Sequence, residues 1–224
     1  MALTDYEEEL HASGYRLIAG VDEAGRGALA GAVVAAAVIL PRGARIVGLA
    51  DSKKLSPEQR ERLFSIIHST ALGIGVGIVD EVTIDRINIL RASLLAMEKA
   101  VSSLSPLPHL LLVDGNHLPS LPIPSWALIK GESRSASIAA ASIVAKVTRD
   151  RLMVQYHDLF PPYQFRKHKG YGTSDHLQAL TEHGPCPIHR LTFKGVKECL
   201  GWGPGRSLDL FGDRIRPPGG KDEL

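Results

Sequence analysis

Two adjacent carboxylates, Asp22 and Glu23, close an apolar segment and run directly into Gly25-Arg26-Gly27. Adjacent acids at the end of a buried strand are costly unless a cation lies between them, and a hard divalent metal ion meets that need. The Gly-Arg-Gly turn lets backbone approach a polyanion closely and adds one guanidinium. Acid pair, metal and anion-facing turn point together to phosphodiester chemistry. Two further acids stand in comparable places. Asp114 ends the apolar run 110–113, and Glu132 follows the short segment 126–129. Carboxylates without thiols make an oxygen-ligand set, which favours Mg²⁺ or Mn²⁺ over zinc. Two such ions about 4 Å apart serve an in-line displacement at phosphorus, one activating water and one stabilising the leaving oxygen. Without metal, gathering these acids would drive some of them to protonate. Plainer readings exist for two of them. Asp114-Gly115 also reads as a turn, and Glu132 as an acid favoured ahead of a helix. The Asp22-Glu23 pair resists such a reading because it follows a buried run directly.

The elements that must position these acids follow from hydrophobic pattern and punctuation. Residues 18–21 read as a buried strand ending at Asp22. Residues 30–40 are apolar and stop at Pro41-Arg42-Gly43; β-branched content and length favour a strand, which sets Asp22 near a hairpin. Ser56-Pro57-Glu58 is a helix start, with an N-cap serine and proline at the first helical position, for a helix to about residue 68. A glycine-interrupted strand spans 71–79, and one helix is expected over 85–103. Residues 110–113 read as a strand buried on both faces, 126–129 as another, and 137–156 as a long helix whose early alanines allow close packing. Beyond Pro161-Pro162 short helices rich in basic residues and histidine are expected, and after Gly201 a mobile tail. The class is α/β: a mixed sheet with flanking helices. Carboxylates at three strand ends fit the rule that open α/β sheets bind ligands beyond strand carboxyl ends.

Composition sets the bounds. The chain has 224 residues, 44% of them hydrophobic and 22% charged, enough for one domain with its own core. Its two cysteines are too few for a disulfide framework, which suits a reducing, cytoplasmic setting. A formal net charge of +2 does not by itself mark a nucleic-acid binder; the charge is clustered at Arg166-Lys167-His168-Lys169, and such a run is more often simply a solvated face. No signal peptide and no long apolar span are evident. The final Lys221-Asp222-Glu223-Leu224 matches a retrieval signal, read as coincidence for want of a signal peptide.

The motifs, taken in order, resemble the bacterial ribonuclease HII family, the type 2 ribonucleases H. They are Gly20-Val21-Asp22-Glu23-Ala24-Gly25-Arg26-Gly27, Asp51-Ser52-Lys53-Lys54-Leu55-Ser56, Asn88-Ile89-Leu90, Val113-Asp114-Gly115-Asn116, the segment 139–150, and His168-Lys169-Gly170-Tyr171-Gly172-Thr173. The resemblance covers nearly all of residues 17–202. It implies a ribonuclease H-like catalytic domain over 1–204, with a helical extension at about 160–204 and the tail 205–224 outside it. It implies endonucleolytic cleavage of RNA in RNA–DNA hybrids, including single ribonucleotides in duplex DNA cut on their 5′ side, leaving 3′-hydroxyl and 5′-phosphate, in a monomer without membrane contact. By the same resemblance Asp22, Glu23 and Asp114 bind two divalent ions, Mn²⁺ or Mg²⁺. The family's fourth acid is an aspartate in a Lys-Gly-Asp sequence, and here Glu132 occupies it, a departure by one methylene; Asp150 is a second, lower-ranked candidate. A 2′-hydroxyl is what separates the two sugars, and the resemblance implies that Gly25, Arg26, Gly27 and Tyr171 sense the ribose and the deoxyribose next to it. Lys53, Lys54, Lys146 and Lys169 are candidate phosphate contacts. His168 is either a phosphate donor or proton shuttle, or a loop histidine without a role in the reaction.

Three rivals stand beside this reading. A dinucleotide-binding protein could use Gly25, Gly27 and Gly31, but that fingerprint needs a helix at the glycines, and a strand there ends it. A non-catalytic hybrid-binding protein on the same fold is left open by Glu132. A junction-cleaving nuclease is opposed by the Lys-Gly-Tyr motif.

Overall fold

The computed structural model describes residues 5–49, 52 and 55–200. Asp51, Lys53, Lys54 and the expected tail 205–224 lie outside the described residues. Five strands form one sheet: β1 (Ile18–Ala24), β2 (Val33–Ile39), β3 (Gly73–Val79), β4 (Leu110–Asp114) and β5 (Ser125–Leu128), in the order β3-β2-β1-β4-β5. β1 pairs antiparallel with β2, and β2 with β3, whereas β1–β4 and β4–β5 are parallel. The sheet changes direction at β1, and there the carboxyl ends of β1 and β4 lie side by side, the place where α/β sheets take ligands. The segment after Gly25-Arg26-Gly27 enters strand β2 rather than a helix, which removes the dinucleotide reading.

Seven α-helices complete the described chain: α1 (Asp5–Ala12), α2 (Pro57–Thr70), α3 (Glu81–Ile87), α4 (Ile89–Ser102), α5 (Ala136–Leu159), α6 (Phe165–His168) and α7 (Ser174–His183). The start of α2 matches its sequence signal: the Ser56 hydroxyl accepts from the Gln59 N–H and the Gln59 side chain accepts from the Ser56 N–H, a capping box. The single helix expected over 85–103 is instead two. Asn88 has φ of 67°, which α-helical backbone does not admit, and its side chain accepts from the Arg91 N–H to cap α4. α1, within the acid-rich N-terminus, was not anticipated.

α4 covers one face of the sheet with Ala96, Met97 and Ala100, and α5 covers the other with Ala140, Ala141 and Val144. The alanines of α5 allow close approach, and Gly20 makes it closer still: a Cβ there would stand 2.0 Å from the Ser137 carbonyl carbon. Glu7 fixes the other side of this helix start. Its Oε1 accepts from the Ser135 hydroxyl at 2.6 Å and the Ser137 N–H at 2.9 Å, placing a buried anion on the N-terminus of α5. The C-terminal elements pack around a separate apolar cluster of Met153, Tyr163, Phe165, Leu180 and Ile188, which also takes in Leu29 and Ala30 from the β1–β2 loop. Among the described residues no helix is long and apolar enough to cross a membrane.

Candidate active site

Alternation along β1 sends Asp22 to the α5 face and Glu23 to the opposite one. Val21 pairs with Val113, so Asp22 and Asp114 are the next residues on adjacent parallel strands and share a face. Asp22 is 8% exposed. Burial, then the charge of Glu23, then that of Asp114, push its carboxyl well above the usual carboxylate range; the Glu23 N–H, at 2.7 Å, and the Ser142 hydroxyl pull the other way. The Ser142 hydroxyl lies 2.6 Å from that of Ser52, which links this one residue to the surroundings of the acid. Asp114 is anchored by the Gly131 N–H at 2.7 Å. Lys130, in the left-handed region at φ of 56°, turns the chain out of β5 into the one-turn 3-10 helix Gly131–Ser133. Glu132, half-buried, is carried on that turn, one residue from the group that holds Asp114. Glu23 faces Arg26, 3.2 Å away. As the side chains stand, no three of the described Asp, Glu, His or Cys residues form a ready metal shell.

The donors nevertheless suit a hard divalent ion. They are oxygens alone, carried at the carboxyl ends of β1 and β4 and on the turn that follows β5. Asp22 is held where its negative charge is disfavoured by burial and by two like charges, a situation a cation relieves. Asp150 does not join this group. It lies within α5 and pairs with Lys146 at 2.8 Å and Arg60 at 3.9 Å.

Gly25, with φ of 99°, begins a loop whose position is set by two buried arginines, Arg149 at 1% exposure and Arg190 at 0%. A Cβ at Gly25 would stand 2.0 Å from Arg149 Nε. Arg149 donates to the carbonyls of Ala30, Ala32 and Lys169, each at 3.0 Å. Arg190 donates to the carbonyls of Arg26 at 3.0 Å, Ala28 at 2.8 Å and Gly31 at 2.8–3.0 Å. Burial pushes the Arg190 guanidinium down to about 9, so at neutral pH it keeps its charge. Asp85 of α3 holds the next residues, accepting from the Leu191 N–H at 2.7 Å and the Thr192 hydroxyl at 2.6 Å. Sequence reasoning missed Arg190 altogether, because an arginine between a histidine and a leucine carries no sign of burial.

The loop also meets the Lys-Gly-Tyr segment. Ala28 bridges Tyr171, and the Leu29 N–H donates to the Gly170 carbonyl at 2.8 Å. The Tyr171 ring lies under Lys146, 5.4 Å to its centroid, and Arg149, 5.3 Å. Beside it runs a groove of about 710 Å³ lined by Arg60, Lys146, Arg151, Lys167, Lys169 and Tyr171, with Glu61 and Asp150 among them. Lys169 Nζ caps the Arg166 carbonyl. His168 is not placed for proton transfer at the acids. It is buried, with Nε2 2.7 Å from the Tyr163 carbonyl and Nδ1 accepting from the Gly170 N–H at 3.2 Å. Cys186 is likewise buried, and both cysteines are unpaired.

Comparison with known proteins identifies the family and the fold. Residues 19–196 match the family model for ribonuclease HII. The ribonuclease HII of Geobacter sulfurreducens is 57% identical over 200 residues, 89% of this chain and 92% of that protein. The crystal structure of ribonuclease H2 from Pyrococcus horikoshii superposes with a TM-score of 0.68 at 27% identity, over 82% of this chain and 96% of that one. A ribonuclease HIII crystallised with Mn²⁺ shares the fold, with a TM-score of 0.64 at 22% identity, over 85% of this chain and 71% of that one. The chain belongs to the ribonuclease HII family and is a ribonuclease H, an endonuclease acting on the RNA of RNA–DNA hybrids.

Proposed function

We propose that this ribonuclease also cuts duplex DNA on the 5′ side of a single embedded ribonucleotide, using two divalent ions, Mg²⁺ or Mn²⁺, held by Asp22, Glu23, Asp114 and Glu132. Ions bound there would supply an activated water and charge stabilisation for the leaving oxygen, and the products would carry 3′-hydroxyl and 5′-phosphate. The observation that carries the reading is the bridge of Tyr171 to Ala28, next to Gly25-Arg26-Gly27, in the loop that leaves the strand carrying Asp22, whose neighbour strand carries Asp114.

Glycine is required at position 25 by the backbone and by Arg149. At position 27 a Cβ would meet nothing within 4 Å, so protein packing does not demand a glycine, and room for an incoming sugar accounts for it. Backbone at Gly25–Gly27 then reads the 2′-hydroxyl, and the Tyr171 ring packs on the adjoining deoxyribose, where a second ribose would crowd it. Lys146 and Lys169, with Arg60, Arg151 and Lys167, make the groove a cradle for backbone phosphates, which orients the duplex without reading its bases. Lys53 and Lys54 are assigned to the same task on their motif alone.

The test is a DNA duplex containing one ribonucleotide, incubated with Mg²⁺, with Mn²⁺ and with chelator. Cleavage 5′ to the ribonucleotide under metal only is expected, and no cut under either metal overturns the proposal. Glu132→Gln is expected to lower kcat/KM by about 10²-fold, with Glu132→Asp retaining most of the activity. A wild-type rate in Glu132→Gln would remove Glu132 from the ligand set.

A further inference from the structure

His176 and His189, both fully buried, stand with their Nε2 atoms 3.0 Å apart beneath the loop that Tyr171 flanks. Neither takes part in the chemistry proposed above. Their partners dictate where the protons lie. At one end the Cys186 N–H donates to His189 Nδ1 at 2.9 Å, so that nitrogen is an acceptor and the proton is on Nε2. Donation from Nδ1 to the Cys186 carbonyl, 3.2 Å away, would set two N–H groups against each other. At the other end His176 Nδ1 lies 3.0 Å from the Tyr171 carbonyl, which only accepts, so Nδ1 carries the proton and Nε2 accepts. Both ends demand the same direction: Cys186 N–H to His189, His189 to His176, His176 to the Tyr171 carbonyl. His168 stacks on His176, with ring centroids 4.5 Å apart, and accepts from the Gly170 N–H, so the Lys-Gly-Tyr segment is held at two successive residues.

Two members of this chain also bridge the loop that follows Gly25-Arg26-Gly27. His189 pairs with Ala30, and Tyr171 pairs with Ala28. We propose that His176 and His189 are positioning residues for ribose recognition, a directed pair of neutral rings that spans the loop from below and fixes Tyr171 at a set distance from Gly25–Gly27. The inference rests on the reading of Tyr171 given above. The low-dielectric surroundings keep both rings neutral at working pH, since burial pushes each down to about 4. A cationic ring would put two N–H groups face to face and break the chain.

The test compares kcat/KM on a duplex with one ribonucleotide against kcat/KM on a continuous RNA–DNA hybrid. His176→Asn places an amide N–H near the position of Nδ1–H and keeps the bond to Tyr171; His176→Leu removes it. The ratio is expected to fall about tenfold in His176→Leu and to stay within about threefold in His176→Asn. A role in packing alone predicts the reverse order, because leucine suits an apolar site better than asparagine. That reverse order, or wild-type ratios in both, overturns the inference. On a Tyr171→Ala background His176→Leu is expected to change the ratio no further; a second fall of equal size also overturns it. If Tyr171→Ala alone leaves the ratio intact, the reading of Tyr171 fails and takes this inference with it. Loss in Tyr171→Ala without loss in His176→Leu sinks the histidine role only. Should His176→Leu fail to fold, His189→Gln, which offers an N–H near Nε2, is set against His189→Met, with the same ordering expected.

Discussion

Asp22→Asn is expected to reduce hybrid cleavage by about 10³-fold or more while making the metal-free protein harder to unfold. The two effects have one cause. The carboxylate is buried beside Glu23 and Asp114, so its charge is disfavoured there, and a cation sharing the site would relieve it. The sign follows from proton linkage. The ordinary carboxyl value is 3.8 and the folded value is raised. Between the two, the native state holds a proton that the unfolded chain has released. This residue's contribution to stability is therefore fully present below 3.8, is lost as pH rises through the folded value, and stays lost above it. Asparagine carries no such charge, so thermal unfolding at neutral pH in chelator should show a higher midpoint for the variant. Adding Mg²⁺ or Mn²⁺ in excess should raise the wild-type midpoint more than that of the variant, since only a ligand that binds the native state stabilises it. A variant that loses activity with unchanged response to metal would take Asp22 out of the metal site.

Arg190→Met carries the second large effect, this time on folding as well as on rate. The guanidinium satisfies three carbonyls of the loop, those of Arg26, Ala28 and Gly31, in a place without exposure to water. Methionine fills much of the volume but donates nothing, so those acceptors lose their partners. A loss on the order of 3–5 kcal/mol in denaturant unfolding is expected. Where the variant does fold, the loop carrying Gly25, Arg26 and Gly27 is no longer tied at three points, and kcat/KM should fall further than any change in metal affinity explains. Arg190→Lys should recover only part of the loss, because an ammonium lacks the planar fork that reaches all three carbonyls. Stability within about 0.5 kcal/mol of wild type in Arg190→Met would show that the loop is held by other means.

Much of the site was legible because its signals are local. A carboxylate pair directly after an apolar run, or an acid before a glycine, marks the end of a strand wherever the rest of the chain goes. Asp22, Glu23 and Asp114 were read this way, and so was the capped start of α2 at Ser56. The break at Asn88 was missed because the apolar stripe runs on across it, and the stripe says nothing about one residue with positive φ. His168 was open between a chemical and a structural part, and its two buried hydrogen bonds decide for the structural one.

The part of Tyr171 in reading ribose came only with the family resemblance; the sequence by itself pointed to oxygen ligands at strand ends and to a glycine turn able to approach a polyanion. These are properties of residue type and near neighbours. Only the tertiary structure decided which acid shares a face with which, because parallel pairing of β1 with β4 sets Asp22 beside Asp114 through a crossover that no local pattern specifies. It also decided that Arg149 and Arg190 are buried scaffolding rather than surface cations, and that two histidines form a directed chain under Tyr171. Each of those parts depends on carbonyls or rings contributed by distant segments, such as Ala28 for Arg190 and Ala30 for Arg149. A buried polar group is defined by the partner that satisfies it, and that partner exists only once the chain has folded.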